Sequence, residues 1–121
     1  MAHAASFPFF VPIEKRALSS EELEVIAVLI DHEAPALLSS VQFLRVVGRC
    51  GCGQCPTIFF QPHRIGAGER EVCSYSGKDA SGGIVGVLLW ERGGSPSQLE
   101  FYSVDGHDPW SLPLPGTLER F

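Results

Sequence analysis

The chain has 121 residues, the size of one ordinary domain and too short for an enzyme with separate cofactor and substrate domains. Hydrophobic residues make up 45% of the chain and charged residues 19%, which excludes the composition of a disordered protein. Nine Lys and Arg against fourteen Asp and Glu give a net charge of −5, which argues against nucleic-acid binding because phosphates need a basic surface. The acidic balance suits a protein partner, in particular a basic one.

Neither a membrane segment nor an export signal is expected. The longest apolar run, residues 25–30, is far shorter than the roughly 18 residues that a membrane-spanning helix needs. At the N-terminus no Lys or Arg precedes the apolar residues, and Pro8 and Pro12 interrupt them, which is untypical of a signal peptide. We therefore predict a cytoplasmic protein, in which cysteines indicate metal binding, redox chemistry or buried thiols.

Residues 1–15 are predicted to form an extended N-terminal arm, and residues 16–121 a single α+β domain. The arm contains two prolines and shows neither a helical nor a strand period. Its phenylalanines Phe7, Phe9 and Phe10 need cover, either from the chain's own core or from a second subunit. The sequence thus allows a homodimer formed through the arm.

Two helices are expected after the arm. Ser19 and Glu22 have the spacing of a capping box, which predicts a helix start at this point. The apolar stripe of this helix is formed by Leu23, Ile26, Ala27 and Ile30, widened by Val25, Val28 and Leu29. The acidic side chains Glu21, Glu22 and Glu24 are interpreted as a solvated helix face or, alternatively, as a docking patch for a basic partner. The helix should end near Glu33, and Pro35 suits the first turn of a shorter second helix.

Five later segments are predicted as strands from their β-branched and aromatic content. They begin at Phe43, Thr57, Val72, Ile84 and Gln98. The last two are separated by Arg-Gly-Gly-Ser-Pro-Ser, which predicts a hairpin. The predicted fold is therefore α+β: two N-terminal helices packed on an antiparallel sheet of four or five strands, with irregular Pro-rich termini.

A cysteine turn, residues 49–56 with the sequence Arg-Cys-Gly-Cys-Gly-Gln-Cys-Pro, is the most distinctive segment. Its glycines allow the backbone to bring the sulfurs of Cys50, Cys52 and Cys55 together. A tetrahedral zinc site needs a fourth ligand, which Cys73 or His63 could supply. The Cys-x-Cys-x-x-Cys spacing differs, however, from the paired Cys-x-x-Cys units of zinc ribbons and fingers.

Two other interpretations of the cysteine turn stay open. Cys52-Gly-Gln-Cys55 matches the Cys-x-x-Cys redox pattern, but Pro56 and a strand-like run follow it, where a thioredoxin-like fold has a helix. In the interpretation that we favour at this point, the cysteines are small buried side chains that shape a turn between strands.

The cysteine turn resembles a Gly-Arg-Cys-Gly-Cys-Gly-Cys-Pro-Thr segment of a family of small bacterial proteins of unknown function. Residues 48–57 carry this likeness, with Gln54 as an extra residue. The family's helix start is similar to residues 16–22 (RALSSEE), and its last strand is similar to residues 99–103 (LEFYS). The resemblance implies a bacterial, single-domain protein and no particular activity.

The function predicted from the sequence is a non-catalytic protein-binding module, such as a toxin-neutralising immunity protein or an accessory subunit. The alternative is a zinc or thiol-redox protein that uses the cysteine turn. A third hypothesis places acid–base chemistry at His107 and Asp108, but no motif supplies a nucleophile.

Overall fold

One antiparallel sheet organises the described part of the chain, which is residues 10–62 and 68–121 of this computed structural model. In chain order its seven strands are β1 (Phe10–Ala17), β2 (Arg45–Cys50), β3 (Ile58–Phe60), β4 (Glu69–Lys78), β5 (Ile84–Arg92), β6 (Ser95–Ser103) and β7 (Glu119–Arg120). Across the sheet the order is β1-β2-β3-β6-β5-β4-β7. The helix α1 (Ser20–Glu33) and the 3₁₀ helix Pro35–Phe43 connect β1 to β2, and a short 3₁₀ turn, Pro115–Thr117, precedes β7.

The predicted fold, with two N-terminal helices on four or five strands, is wrong. The sheet has seven strands, and strand β1 precedes both helices. The five predicted strands correspond to β2 through β6, whereas β1 and β7 were not predicted. Both of these strands lie at the sheet edges, where pairing with one neighbour is enough and the sequence needs no long apolar run.

Strand β1 forms from a segment that the sequence assigned largely to the arm. Pro12 is tolerated because β1 is an edge strand, so only one side of its backbone pairs. The ring of Phe10 lies over Gly48 of β2 and meets the ring of Phe59 edge-on, with 5.5 Å between centroids. The predicted boundary at residue 15 therefore falls within a strand, while residues 1–9 lie outside the described residues.

The β5–β6 hairpin is confirmed. Its two-residue turn consists of Gly93 and Gly94, both with positive φ, as a hairpin turn that follows the sheet's twist requires. Strand β4 begins before the predicted start at Val72, because it pairs with β5 from Glu69 to Lys78. Pairing with the next strand along the chain thus makes a strand of residues whose own sequence does not predict one.

The core lies between α1 and one face of the sheet. The helix contributes Val25, Ile26, Leu29 and Ile30, each at most 1% exposed. The sheet contributes Val46, Ile58, Phe60, Tyr75, Val85, Val87, Leu89, Leu99 and Phe101. Burial of each large aliphatic side chain stabilises the fold by about 1.5–3 kcal/mol.

In the described ranges, no helix has the length and apolar character needed to cross a bilayer.

An ion pair at the start of α1 sets which helix face points inward. Ser19 and Glu22 form the predicted capping box, so this prediction is confirmed. Arg16 at the end of β1 donates to both carboxylate oxygens of Glu22, at 2.8 and 3.0 Å. Glu22 is consequently buried, while Leu23, assigned to the apolar stripe, is 41% exposed. Burial raises the pKa of Glu22, but the hydrogen bonds from Arg16 and Ser19 outweigh it and lower the pKa overall.

We expect Glu22→Ala to lower the free energy of unfolding by about 1–3 kcal/mol, because it removes the carboxylate that accepts from the Ser19 N–H and from the Arg16 guanidinium. Glu24→Ala, at an exposed position of the same helix, should stay within about 0.5 kcal/mol of the unsubstituted protein. Urea unfolding followed by circular dichroism measures both. Equal effects of the two substitutions would contradict this role of Glu22.

Candidate functional site

The cysteine turn connects β2 to β3 and is held at both ends by the sheet. Cys50 is the last residue of β2, and its N–H donates to the carbonyl of Thr57, just before β3, at 3.3 Å. The Thr57 hydroxyl is fully buried and accepts from the N–H of Phe101 in β6 at 2.9 Å. The sequence did not single out Thr57, since its role depends on β3 pairing with β6. The two ends of the turn are thus fixed to three strands.

Within the turn, the backbone folds back on Cys52. Gly53 has φ +76°, a left-handed conformation that other residues rarely adopt. The N–H groups of Gln54 and Cys55 thereby point at the Cys52 sulfur, at 3.4 and 3.1 Å. The N–H of Cys52 in turn donates to the Cys50 sulfur at 3.4 Å. Two backbone donors therefore point at the Cys52 sulfur, which favours its negatively charged thiolate.

The sulfurs of Cys50, Cys52 and Cys55 all lie within 4.8 Å of one another. The Cys52 and Cys55 sulfurs are 3.2 Å apart. Their exposure differs: Cys50 is buried, Cys55 is half-buried and Cys52 is exposed. The three cysteines are therefore grouped closely enough to hold a metal ion, with Cys52 on the solvent side.

The two cysteines of the closest pair differ in acidity. Burial raises the pKa of Cys52, but hydrogen bonds from the N–H groups of Cys55 and Gln54 outweigh this effect and lower the pKa to about 7. Burial raises the pKa of Cys55 to about 12. At neutral pH the pair thus holds its negative charge on the exposed sulfur and a proton on the inner one.

Cys73, predicted as a fourth ligand, lies far from this group. It is on β4, and four steps across the sheet separate β4 from β2, a distance of about 19 Å at the usual spacing of strands. The Cys73 side chain is 8% exposed and packs in the core. Burial raises its pKa to about 12, so it is a structural thiol. His63, the other predicted fourth ligand, lies outside the described residues.

A groove of about 320 Å³ opens beside the cysteine turn. Gln54 and Pro56 from the turn line it together with Trp110, Leu112 and Leu114 from the C-terminal segment. The C-terminal segment thus places apolar side chains next to the cysteine turn. The groove gives the turn a surface that a ligand or a second molecule can contact.

The predicted acidic patch is divided by the fold. Glu21 and Glu24 are exposed on α1, whereas Glu22 is buried and paired with Arg16. The carboxylate of Glu22 therefore belongs to the helix start. Docking of a basic partner on Glu21 and Glu24 stays a prediction.

His107, which the sequence paired with Asp108, is instead held between two other carboxylates. Its Nε2 lies 2.8 Å from Asp79, which is 2% exposed, and its Nδ1 contacts Asp105. The ring fits because Gly83 has no side chain; a Cβ there would lie 2.0 Å from Nε2. The hydrogen bond to Asp79 and, less strongly, that to Asp105 raise the pKa of His107. Both ring nitrogens are used in this clamp between the β4–β5 turn and the segment after β6.

Comparisons with protein-family models, curated proteins and solved structures give no match for this chain. The resemblance to a bacterial family therefore stays a prediction. What can be said of function depends on the geometry of the cysteine turn.

We expect Cys52 to react with iodoacetamide in the metal-free, reduced protein with a midpoint near pH 7, well below the value of about 8.5 for an ordinary cysteine. The midpoint is low because the exposed Cys52 thiolate accepts hydrogen bonds from two backbone N–H groups. Pulse alkylation across a pH series, read by peptide mass spectrometry, measures the midpoint. Cys73 is the internal control and should react only after unfolding. An ordinary midpoint for Cys52 would contradict the assignment.

We expect the stabilisation by His107 to depend on pH in both directions. Because the folded-state pKa of His107 is raised, its contribution is full below about pH 6.5 and is lost as pH rises through the higher folded-state value. Hydrogen bonds from Ser81 and His107 lower the pKa of Asp79, so its contribution is lost on acidification.

The difference in melting temperature between the unsubstituted protein and His107→Asn should therefore be largest in mildly acidic solution. It should shrink towards alkaline and strongly acidic pH. Asp108→Asn is a suitable control, because Asp108 is exposed and its side chain makes no hydrogen bond or ion pair with the described residues. A pH-independent difference would contradict the clamp.

Proposed function

We propose that this protein binds a zinc ion at the cysteine turn, with the thiolates of Cys50, Cys52 and Cys55 as ligands. The observation that carries the proposal is the convergence of the three sulfurs within 4.8 Å of one another at the end of one hairpin. Thiolate sulfur is a preferred ligand of zinc, and Cys₃ sets occur in tetrahedral zinc sites.

The distances suit a tetrahedral ion. With Zn–S bonds of about 2.3 Å, two sulfurs on one zinc ion lie about 3.8 Å apart. The Cys52 and Cys55 sulfurs, 3.2 Å apart, need to separate by only about 0.6 Å to reach this distance. Rotation of exposed Cys52 about its side-chain bond is enough for this change, since its position at the surface leaves room.

The backbone of the turn supports negative sulfurs before any ion arrives. Three N–H groups point at Cys50 and Cys52 and serve as the outer hydrogen bonds that orient metal ligands and tune their charge. The protein carries a net charge of −5, so a divalent cation also meets a favourable overall field.

Because Cys52 is exposed, we place the fourth ligand position on the solvent side of the sulfur group. Within residues 10–62 and 68–121 the sulfur group has three members, so a water molecule or a ligand from elsewhere completes the tetrahedron. Three protein ligands and one exchangeable position are typical of zinc sites that act on a ligand, whereas closed structural sites have four protein ligands.

This proposal reverses the preference drawn from the sequence. The sequence favoured a protein-binding module in which the cysteines only shape a turn. An exposed Cys52 whose sulfur accepts two backbone N–H groups is not explained by packing, because a cysteine that serves as a small hydrophobic side chain is buried. We therefore place the zinc site first and keep partner docking as a prediction.

We expect the reduced protein to bind one equivalent of zinc. Replacement by Co²⁺ should give the intense near-ultraviolet absorption of thiolate–cobalt bonds. Cys50→Ser and Cys52→Ser should each weaken zinc binding by more than the roughly 10- to 100-fold that loss of an outer hydrogen-bond partner costs a metal site. Competition with a chromophoric chelator measures the affinities.

Cys73→Ser is the matched control, because it removes a thiol that lies about 19 Å from the site at normal strand spacing. It should bind zinc as the unsubstituted protein does. Protein that holds no zinc in the absence of chelator, or a Cys73→Ser variant as impaired as Cys52→Ser, would rule out the proposed site.

A further inference from the structure

The sulfurs of Cys52 and Cys55 form a close pair, whereas the Cys50 sulfur is buried. The sulfurs of Cys52 and Cys55 lie 3.2 Å apart, closer than two sulfurs on one zinc ion, and Cys52 is exposed. Cys50 is only 3% exposed and is held in the last position of β2. An oxidant arriving from solvent therefore meets Cys52 first, and the nearest second thiol is Cys55.

We infer that Cys52 and Cys55 form a reversible disulfide and that its formation expels the zinc ion from the cysteine turn. The second half of this inference rests on the proposed zinc function, whereas the choice of the disulfide pair does not. The turn would then act as a redox-controlled zinc store or sensor, with hydrogen peroxide as the oxidant.

The chemistry needs a single two-electron oxidant. The Cys52 thiolate attacks one oxygen of the peroxide, the O–O bond breaks, and one water leaves after protonation, which makes Cys52 a sulfenic acid. The Cys55 sulfur then attacks the Cys52 sulfur, the S–O bond breaks, and the second water leaves as the S–S bond forms. Two electrons pass from the sulfurs to the peroxide, and the zinc ion leaves unchanged as Zn²⁺.

The movement required is small. The two sulfurs need to approach by about 1.2 Å to reach the S–S bond length of about 2.05 Å. Gly53 and Gln54 between them are exposed, so this part of the turn can adjust without disturbing the core. A disulfide removes two of the three proposed ligands at once, and Cys50 alone does not hold a zinc ion in competition with water and buffer.

The test treats the full-length protein, zinc-loaded and metal-free in parallel, with hydrogen peroxide. Disulfide mapping by mass spectrometry identifies the bonded pair, and a chromophoric chelator measures released zinc. We expect one intramolecular Cys52–Cys55 disulfide in both samples and one zinc released per disulfide. A thiol reductant should restore zinc binding.

Three variants separate the steps. Cys55→Ser should stop at the sulfenic acid on Cys52, which dimedone traps, and Cys50→Ser should still form the disulfide although it binds zinc weakly. Cys73→Ser should behave as the unsubstituted protein. A main disulfide that involves Cys50, Cys73 or a second chain would overturn the inference, as would zinc retained after the disulfide has formed.

The two proposals fail in different ways in this experiment. If no zinc binds, the proposed function and the release step are wrong, while the metal-free sample still decides the disulfide pair. If zinc binds but peroxide produces no Cys52–Cys55 disulfide in either sample, the redox inference alone is wrong.

Discussion

The hydrogen bond between the Cys50 N–H and the Thr57 carbonyl is the contact on which the cysteine turn depends. It closes the hairpin between the end of β2 and the start of β3. The seven residues that connect these strands must therefore bring the chain back to the neighbouring strand. Thr57 is in turn fixed to β6 through the N–H of Phe101. Strand pairing therefore fixes the two ends of the turn, and the backbone fold at Gly53 then brings the sulfurs together.

Charge at the turn is supported by peptide groups more than by cationic side chains. The guanidinium of Arg49, the nearest cationic residue in sequence, donates to the carbonyl of Cys50 at 3.2 Å. The sulfur of Cys52 accepts two N–H groups instead. A thiolate stabilised by peptide dipoles keeps its solvent side free, whereas one held in a salt bridge is covered by its partner. This arrangement suits a sulfur that must reach a metal ion or an oxidant.

Much of the site could be predicted from the sequence, because its geometry is local. The Cys-Gly-Cys-Gly-Gln-Cys run lies between two apolar segments, and a glycine that takes positive φ in such a turn was expected and is found at Gly53. The capping box of α1 depends on four consecutive residues and was equally predictable from the sequence. The exposure of Cys52 was not predictable, since it depends on which side of the hairpin the turn folds towards.

What the sequence could not provide is the order of strands. Cys73 was considered as a ligand because a tetrahedral zinc site needs a fourth one, yet β4 lies four steps from β2. Strand β1 was not predicted for the same reason, since its pairing partner β2 lies beyond the whole of α1. The inward position of Glu22 was not predicted either, because its partner Arg16 lies at the end of β1. The first two errors concern the pairing of strands that are distant in sequence, where local propensity carries no information, and the third concerns a residue of the unpredicted strand β1.

The separation of the turn from the core explains how one scaffold can tolerate several states of its cysteines. The hydrophobic core comprises residues of α1, the 3₁₀ helix and five strands, and residues 51–56 contribute nothing to it. A change from free thiols to metal ligands or to a disulfide therefore alters the loop that closes one hairpin, while the packing that stabilises the domain stays the same. The free energy of folding is supplied by the core, so the affinity of the turn for a ligand is set by the turn. A reversible chemical change in the turn therefore does not require the protein to unfold.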